Sequence, residues 1–212
     1  MHHSAPNDEA AVWTIGHSNH TIEVFLDLLV TLRIDVLVDV RSSPYSRYAS
    51  HFNREAVQAP LEDRGIQYLF LGDCLGGRAE GDQFYDEQGH VLYGRVAELP
   101  QFQQGIARLL GGIAKYRVAL MCGEEDPADC HRRLLIGRVL GQRGVGVFHV
   151  RGDGRLQSEE ELAAEEHFKK TKGQLSLFDK EEADEWKSTQ SVLPKNQPPT
   201  SSDYSDGPTS SD

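Results

Sequence analysis

Along the chain, short and nearly continuous apolar runs alternate with longer stretches whose apolar positions recur at helical spacing. Residues 11–15 (AVWTI) form a strand-length run that ends at Gly16-His17-Ser18. Thr21 then caps a helix in which Val24, Phe25, Leu28, Leu29 and Leu32 fall at i, i+3 and i+4. Residues 35–40 (DVLVDV) are almost unbroken in apolar character, the signature of a strand covered on both faces. The same alternation predicts a helix over about 54–64, a strand at 66–71, a helix over about 102–116 and a strand at 117–122. A helix over about 130–143 and a strand at 146–150 complete the series. Alternating β and α segments with short connections predict an α/β domain with a doubly wound, mostly parallel sheet of about five strands and helices on both faces.

Two regions break this rhythm. Residues 72–99 are long, Gly-rich and polar for a simple connection, which suggests a lid or binding segment. Beyond the turn at 151–154 a charged helix is expected over 159–172, and from residue 187 Ser, Thr, Pro and Asp dominate. The predicted organisation is a flexible lead (1–10), one α/β domain (11–172), a short apolar peptide (173–179) and a disordered, acidic, Ser/Pro-rich tail (180–212).

Composition narrows the class. No stretch approaches the roughly 20 apolar residues of a membrane span. The first residues lack the charged-then-apolar order of a secretion signal, so a cytoplasmic protein without membrane partners is expected. Three cysteines, Cys74, Cys122 and Cys130, are too few for a disulfide scaffold and are read as thiols. A net charge of −11 argues against a protein that coats DNA through a broad basic face. Up to residue 150 the only lysine is Lys115, so the positive charge there is almost entirely arginine, which suits bidentate recognition of phosphate or carboxylate.

In a parallel α/β sheet, ligands bind beyond the carboxyl ends of the strands. Those ends carry Gly16, His17 and Ser18; Asp39, Arg41, Pro44 and Ser46; Gly76, Gly77 and Arg78; and Cys122 and Glu124, running on to Cys130, His131 and Arg132. Cys130 at a predicted helix start, followed by two cationic side chains, fits a thiol activated as a nucleophile. A metal reading of Cys122, Cys130 and His131, zinc first, is disfavoured: the Cys-x7-Cys-His spacing departs from the usual close pairs and no fourth ligand is obvious. In the third reading both cysteines are buried packing residues and only His131 and Arg132 face a site. Arg41, Arg78 and Arg132, with Ser46, are candidates for holding phosphate, unless they pair with Asp39, Asp73 or Glu124. Glu124 and His131 would make an acid/base couple if the fold brings them together. His17 reads as a hydrogen-bonded scaffold residue at a strand end, and Gly76-Gly77 lacks the spacing of a P-loop or dinucleotide fingerprint.

The ordered set TIGHS (14–18), VDVR (38–41) with Pro44 and Ser46, LGGR (75–78), and Cys122-Gly123-Glu124 followed by Cys130-His131-Arg132 resembles the family catalogued as domain of unknown function 488. The resemblance spans about residues 12–150; it implies a fold and the strand-end site, and brings no established reaction with it. Gly123 stands where a small residue such as Ala is expected.

Outside that region, Gln174, Leu175, Ser176, Leu177 and Phe178 resemble the motif by which bacterial polymerases and repair proteins hold the sliding clamp, Gln174 anchoring by hydrogen bonds and Leu177 and Phe178 filling an apolar pocket. The alternative is a flap packed back on the domain. Together these features lead to a first expectation: a replication- or repair-associated protein recruited by the clamp, whose Arg/Cys/His site acts on a phosphate-bearing nucleotide or DNA. A thiol-dependent transferase of sulfur or acyl groups using Cys130, and a non-enzymatic nucleotide-sensing adaptor, are the rivals.

Overall fold

The computed structural model describes residues 10–171 and 185–192. Five parallel strands, β1 (Ala11–Gly16), β2 (Val36–Asp39), β3 (Gln67–Phe70), β4 (Val118–Cys122) and β5 (Gly146–Val150), form a sheet with a sixth, β6 (Leu156–Ser158), antiparallel to β5. The order is β3-β2-β4-β1-β5-β6. β4, which enters late in sequence, lies between β2 and β1, so its carboxyl end stands between those of two strands that are consecutive in the chain. β6 lies beyond the turn at 151–154, where only a turn was expected; at three residues it is too short for alternation to reveal it.

Strand alternation divides the core in two. Val12, Val36, Val38, Leu120 and Val147 pack against α5 (Pro100–Ile113) and α6 (Arg138–Gly141). Trp13, Ile15, Leu37, Ala119 and Met121 face α1 (Ile22–Thr31) and α2 (Arg54–Glu62). Burying both faces is what makes these strands read as continuous apolar runs. Thr21 caps α1 as its position implies, its hydroxyl accepting from the Val24 amide. The buried stripe of α1 is Phe25, Leu26 and Leu29, while Val24 faces solvent.

Residues 72–99 differ from the expected connection. They contain α3 (Gly72–Leu75) and α4 (Tyr93–Ala97), with an antiparallel bridge between Tyr85 and Val91. Leu75, Phe84, Val91, Tyr93 and Val96 belong to the core, so this stretch is part of the domain body. Gly105 on α5 lets α3 approach: a β-carbon there would stand 2.8 Å from Cys74 and Leu75.

The helix expected from residue 130 begins differently too. Cys130 has extended backbone, and Arg132–Gly137 forms a π-helical segment that runs into α6. After β6, α7 (Glu159–Thr171) carries Glu159 and Glu166 to Arg133, both at 2.8–2.9 Å.

Within the tail expected to be disordered, residues 185–192 lie against the domain. Trp186 donates its indole N–H to the Leu134 carbonyl at 2.7 Å and stacks under Arg138. Ser188 exchanges backbone and side-chain hydrogen bonds with Val91, Lys187 pairs with Asp86 at 2.8 Å, and the Val192 amide donates to Gly89.

Candidate functional site

The site follows from what each strand does at its carboxyl end. β1 stops at Gly16, where a β-carbon would fall 1.8 Å from the Glu124 carbonyl oxygen; only glycine lets the 123–125 loop close over this end. The His17 amide donates to Cys122 and the Ser18 amide to Gly123, extending the β1–β4 ladder into that loop. Ser18, at φ 46°, turns the chain away and stays outside the cleft lining.

β2 ends in a buried ion pair. Arg41 donates to both Asp39 oxygens (2.9 and 2.6 Å) and to the Phe52 carbonyl at 2.8 Å, while Tyr68 donates to Asp39 at 2.7 Å. The remaining Arg41 nitrogen stands 3.2 Å from His17 Nε2, whose Nδ1 is 3.1 Å from the Ser18 carbonyl. That pattern fits a neutral His17 with its proton on Nδ1, stacked on Phe52 at 4.6 Å. Burial first, then the Arg41 charge, depresses its pKa to about 4.

The floor is the Cys122–Glu124–Cys130–His131 group. Cys122 Sγ donates to Glu124 Oε2 at 2.8 Å, and Cys130 Sγ lies 3.2 Å from the same oxygen. His131 Nε2 is 2.9 Å from the Val40 carbonyl, which requires a proton there, and Nδ1 faces the sulfurs, 3.7 Å from Cys122 Sγ and 3.9 Å from Cys130 Sγ. Burial opposes charging of the ring, but its bonds to Cys130 and Val40 raise its pKa above the ordinary imidazole value. Gly77 packs on that ring, since a β-carbon would stand 2.7 Å from it. Hydrogen bonding to Cys130 and burial push Cys122 well above a thiol's ordinary pKa. Burial resists ionisation of Cys130 as well, but the bonds from Cys122 and His131 and the Arg132 charge bring it well below. Buried Tyr93 stands beside the group, its phenol pushed upward by burial and by the two sulfurs.

A cleft of about 640 Å³ opens above this floor, lined by His17, Arg41, Ser46, Gly77, Arg78, Cys122, Glu124 and His131 among others. Of the residues expected to hold phosphate, Arg78 stands exposed at the rim and Ser46 lines the wall. Arg41 also lines the cleft but spends itself on Asp39. Arg132 is fully buried and ties down the same loop through the Glu124 and Glu125 carbonyls, so it presents no donor to the cleft. Pro44 is buried outside the lining, and Gly76 packs on Ser42 below Arg78. Glu124 and His131 come together with the sulfurs between them. Cys130, expected to be the reactive thiol, is fully enclosed; Cys122 is the sulfur that reaches the cleft.

Sequence reasoning passed over Ser42, Tyr93 and Asp129 in the lining, and also Ser188, Gln190, Ser191 and Val192. The last four carried one readable signal, an isolated Trp186 in an otherwise polar tail. Gln174, Leu175, Leu177 and Phe178 lie outside the described residues.

The family described as "Domain of unknown function DUF488" matches residues 21–139, a span that holds most of the site and ends before β5. No curated protein and no solved structure matches the chain.

Proposed function

The chain belongs to the DUF488 family, and from that premise we propose that its cleft houses a thiol-dependent transfer reaction in which Cys122 is the sulfur that meets the substrate. The observation that carries this reading is the bond from Cys122 Sγ to Glu124 Oε2, 2.8 Å long, at the floor of an open cleft. Glu124 takes the Cys122 proton, and the thiolate forms a bond to the transferred group. The bond from that group to its leaving atom breaks with the electron pair on the leaving atom. Glu124 then returns the proton to the leaving group, so Cys-SH and R–X become Cys-S–R and HX. Cys130, behind Cys122, steadies the sulfur pair through the shared carboxylate. Arg78 at the rim gives an anionic portion of the substrate, phosphate included, a place to dock.

The test is covalent capture. Incubation with an acyl thioester or a thiosulfonate should leave an adduct on the peptide carrying Cys122, absent in Cys122→Ser and weakened at Arg78→Ala when the donor is anionic. Adducts confined to Cys74 would end this reading.

The sequence of residues 174–178 supports a second element, recruitment to the sliding clamp and with it a DNA-bound substrate context. Its position is pertinent: the motif lies between the end of α7 at Thr171 and residues 185–192, which return to the rim of the cleft. Co-elution with a bacterial clamp should be lost in Leu177→Ala/Phe178→Ala. Equal co-elution of wild type and variant would remove the DNA context and leave the thiol chemistry untouched.

A further inference from the structure

We propose that Cys122, Cys130 and His131 form a three-ligand zinc site whose fourth position opens into the cleft beside Glu124. The three donor atoms lie within 4.8 Å of one another, Cys122 at the end of β4 and Cys130 and His131 at the far end of the loop that follows it. A tetrahedral zinc with sulfur at about 2.3 Å and nitrogen at about 2.0 Å sets S···N edges of about 3.5 Å. His131 Nδ1 is 3.7 and 3.9 Å from the two sulfurs, so a few tenths of an ångström separate these two edges from metal-ready ones, and the sulfurs lie within 4.8 Å of each other.

The second shell is built for the same purpose. The Val40 carbonyl accepts from His131 Nε2–H and so aims Nδ1 at the sulfurs. Gly77 packs so close to the His131 side chain that a β-carbon there would collide with it, which limits the ring's movement. Arg132 clamps the Glu124 and Glu125 carbonyls and so fixes the loop that joins the two cysteines.

Charge favours a divalent ion as well. Two thiolates and a neutral imidazole around Zn2+ carry no net charge, which suits donors that are almost fully enclosed. Hard cations such as Mg2+ or Ca2+ are poorly served by two sulfurs. The protons held among the two sulfurs and the ring leave on binding, which frees Glu124 from the Cys122 S–H bond and leaves its carboxylate facing the fourth position. Three protein donors with one position open to a cleft are the arrangement of catalytic rather than structural zinc. The sequence offered no fourth ligand because none is needed from the protein.

The inference shares Cys122 with the transfer reading and does not depend on it: bound zinc occupies the thiolate that the transfer step needs free, so the two readings describe the metal-bound and the metal-free protein. Reduced, full-length protein stripped of metal should bind one Zn2+ per chain and release about two protons as it does so. Co2+ in its place should give a thiolate-to-cobalt charge-transfer band. Cys122→Ser should weaken zinc by at least about 100-fold and diminish that band, while Cys74→Ser should leave both unchanged. Zinc should also protect Cys122 of the wild type, but not Cys74, from alkylation, a readout that needs no variant to fold. Substoichiometric zinc in the reduced protein, an undiminished band in Cys122→Ser, or a Cys122–Cys130 disulfide that persists under reducing conditions would overturn the site. Zinc binding without a Cys122 adduct sinks the transfer reading alone, and an adduct without zinc binding sinks this one alone.

Discussion

At the floor of the cleft, polar side chains are locked by partners from different strands, whereas residues 185–192 reach the rim through one neighbouring stretch, 86–94, and the 132–141 helix. Asp39 accepts from Arg41 and Tyr68, and Arg41 reaches on to Phe52 and His17, so β2, β3 and the β1 loop share one network. The outer segment has a single aromatic anchor, Trp186, and the Lys187–Asp86 pair at the surface. Position is therefore fixed at the floor by groups that cannot move singly, while the rim is held by contacts that can be released together. The first arrangement suits reacting atoms, the second suits access.

The sharpest way to break this contrast is to unpair the floor. Asp39→Ala leaves the Arg41 guanidinium buried without a counter-charge and should cost about 3–5 kcal/mol in urea unfolding. Tyr68→Phe, which removes one bond to the same carboxylate, should cost about 1 kcal/mol. A loss under about 1 kcal/mol for Asp39→Ala would mean that the network is not what holds the floor.

Acid should attack the floor next. His17 is neutral in the fold with a pKa of about 4, against 6.5 for a free imidazole, and it faces Arg41, Asp39 and Glu124. The unfolded chain therefore takes up this proton first as pH falls. The stability tied to a neutral His17 is complete above about pH 6.5, declines between 6.5 and 4, and changes no further below. The 2.5-unit gap corresponds to about 3 kcal/mol. Buried His149 is shifted in the same direction, so the measurement is the difference between wild type and His17→Gln. Parallel stability curves for the two proteins between pH 4 and 6.5 would show that His17 titrates freely.

How much of this could be read in the chain depends on how far each feature reaches in sequence. β1, β2, β4 and β5 announce themselves because burial on both faces makes them continuously apolar, and the four strand-end motifs place the site at one sheet edge. Which side chain faces the cleft is a different kind of fact. Cys122, and not Cys130, lines the cleft because Cys130 is extended and enclosed ahead of a π turn, a shape that helical spacing cannot signal. Arg132 and Arg41 look alike in sequence, yet one ties a loop's carbonyls and the other a carboxylate. Ser188–Val192 join the lining through contacts to Gly89 and Val91, about a hundred residues away, and local composition argued against any structure there.

The outer wall offers the last and smallest test. Trp186→Ala removes the indole bond to Leu134 and the stacking under Arg138, together worth about 2 kcal/mol of docking. That amounts to roughly 30-fold in the fraction of time the segment is away from the rim. Alkylation of Cys122 should quicken by up to that factor in metal-free protein, while global unfolding shifts by less than about 1 kcal/mol. Trp186→Phe should fall between, keeping the aromatic face and losing the bond. If Trp186→Ala leaves Cys122 no more reactive but destabilises the whole domain, the rim is part of the locked floor, and the division between a fixed centre and a releasable wall fails.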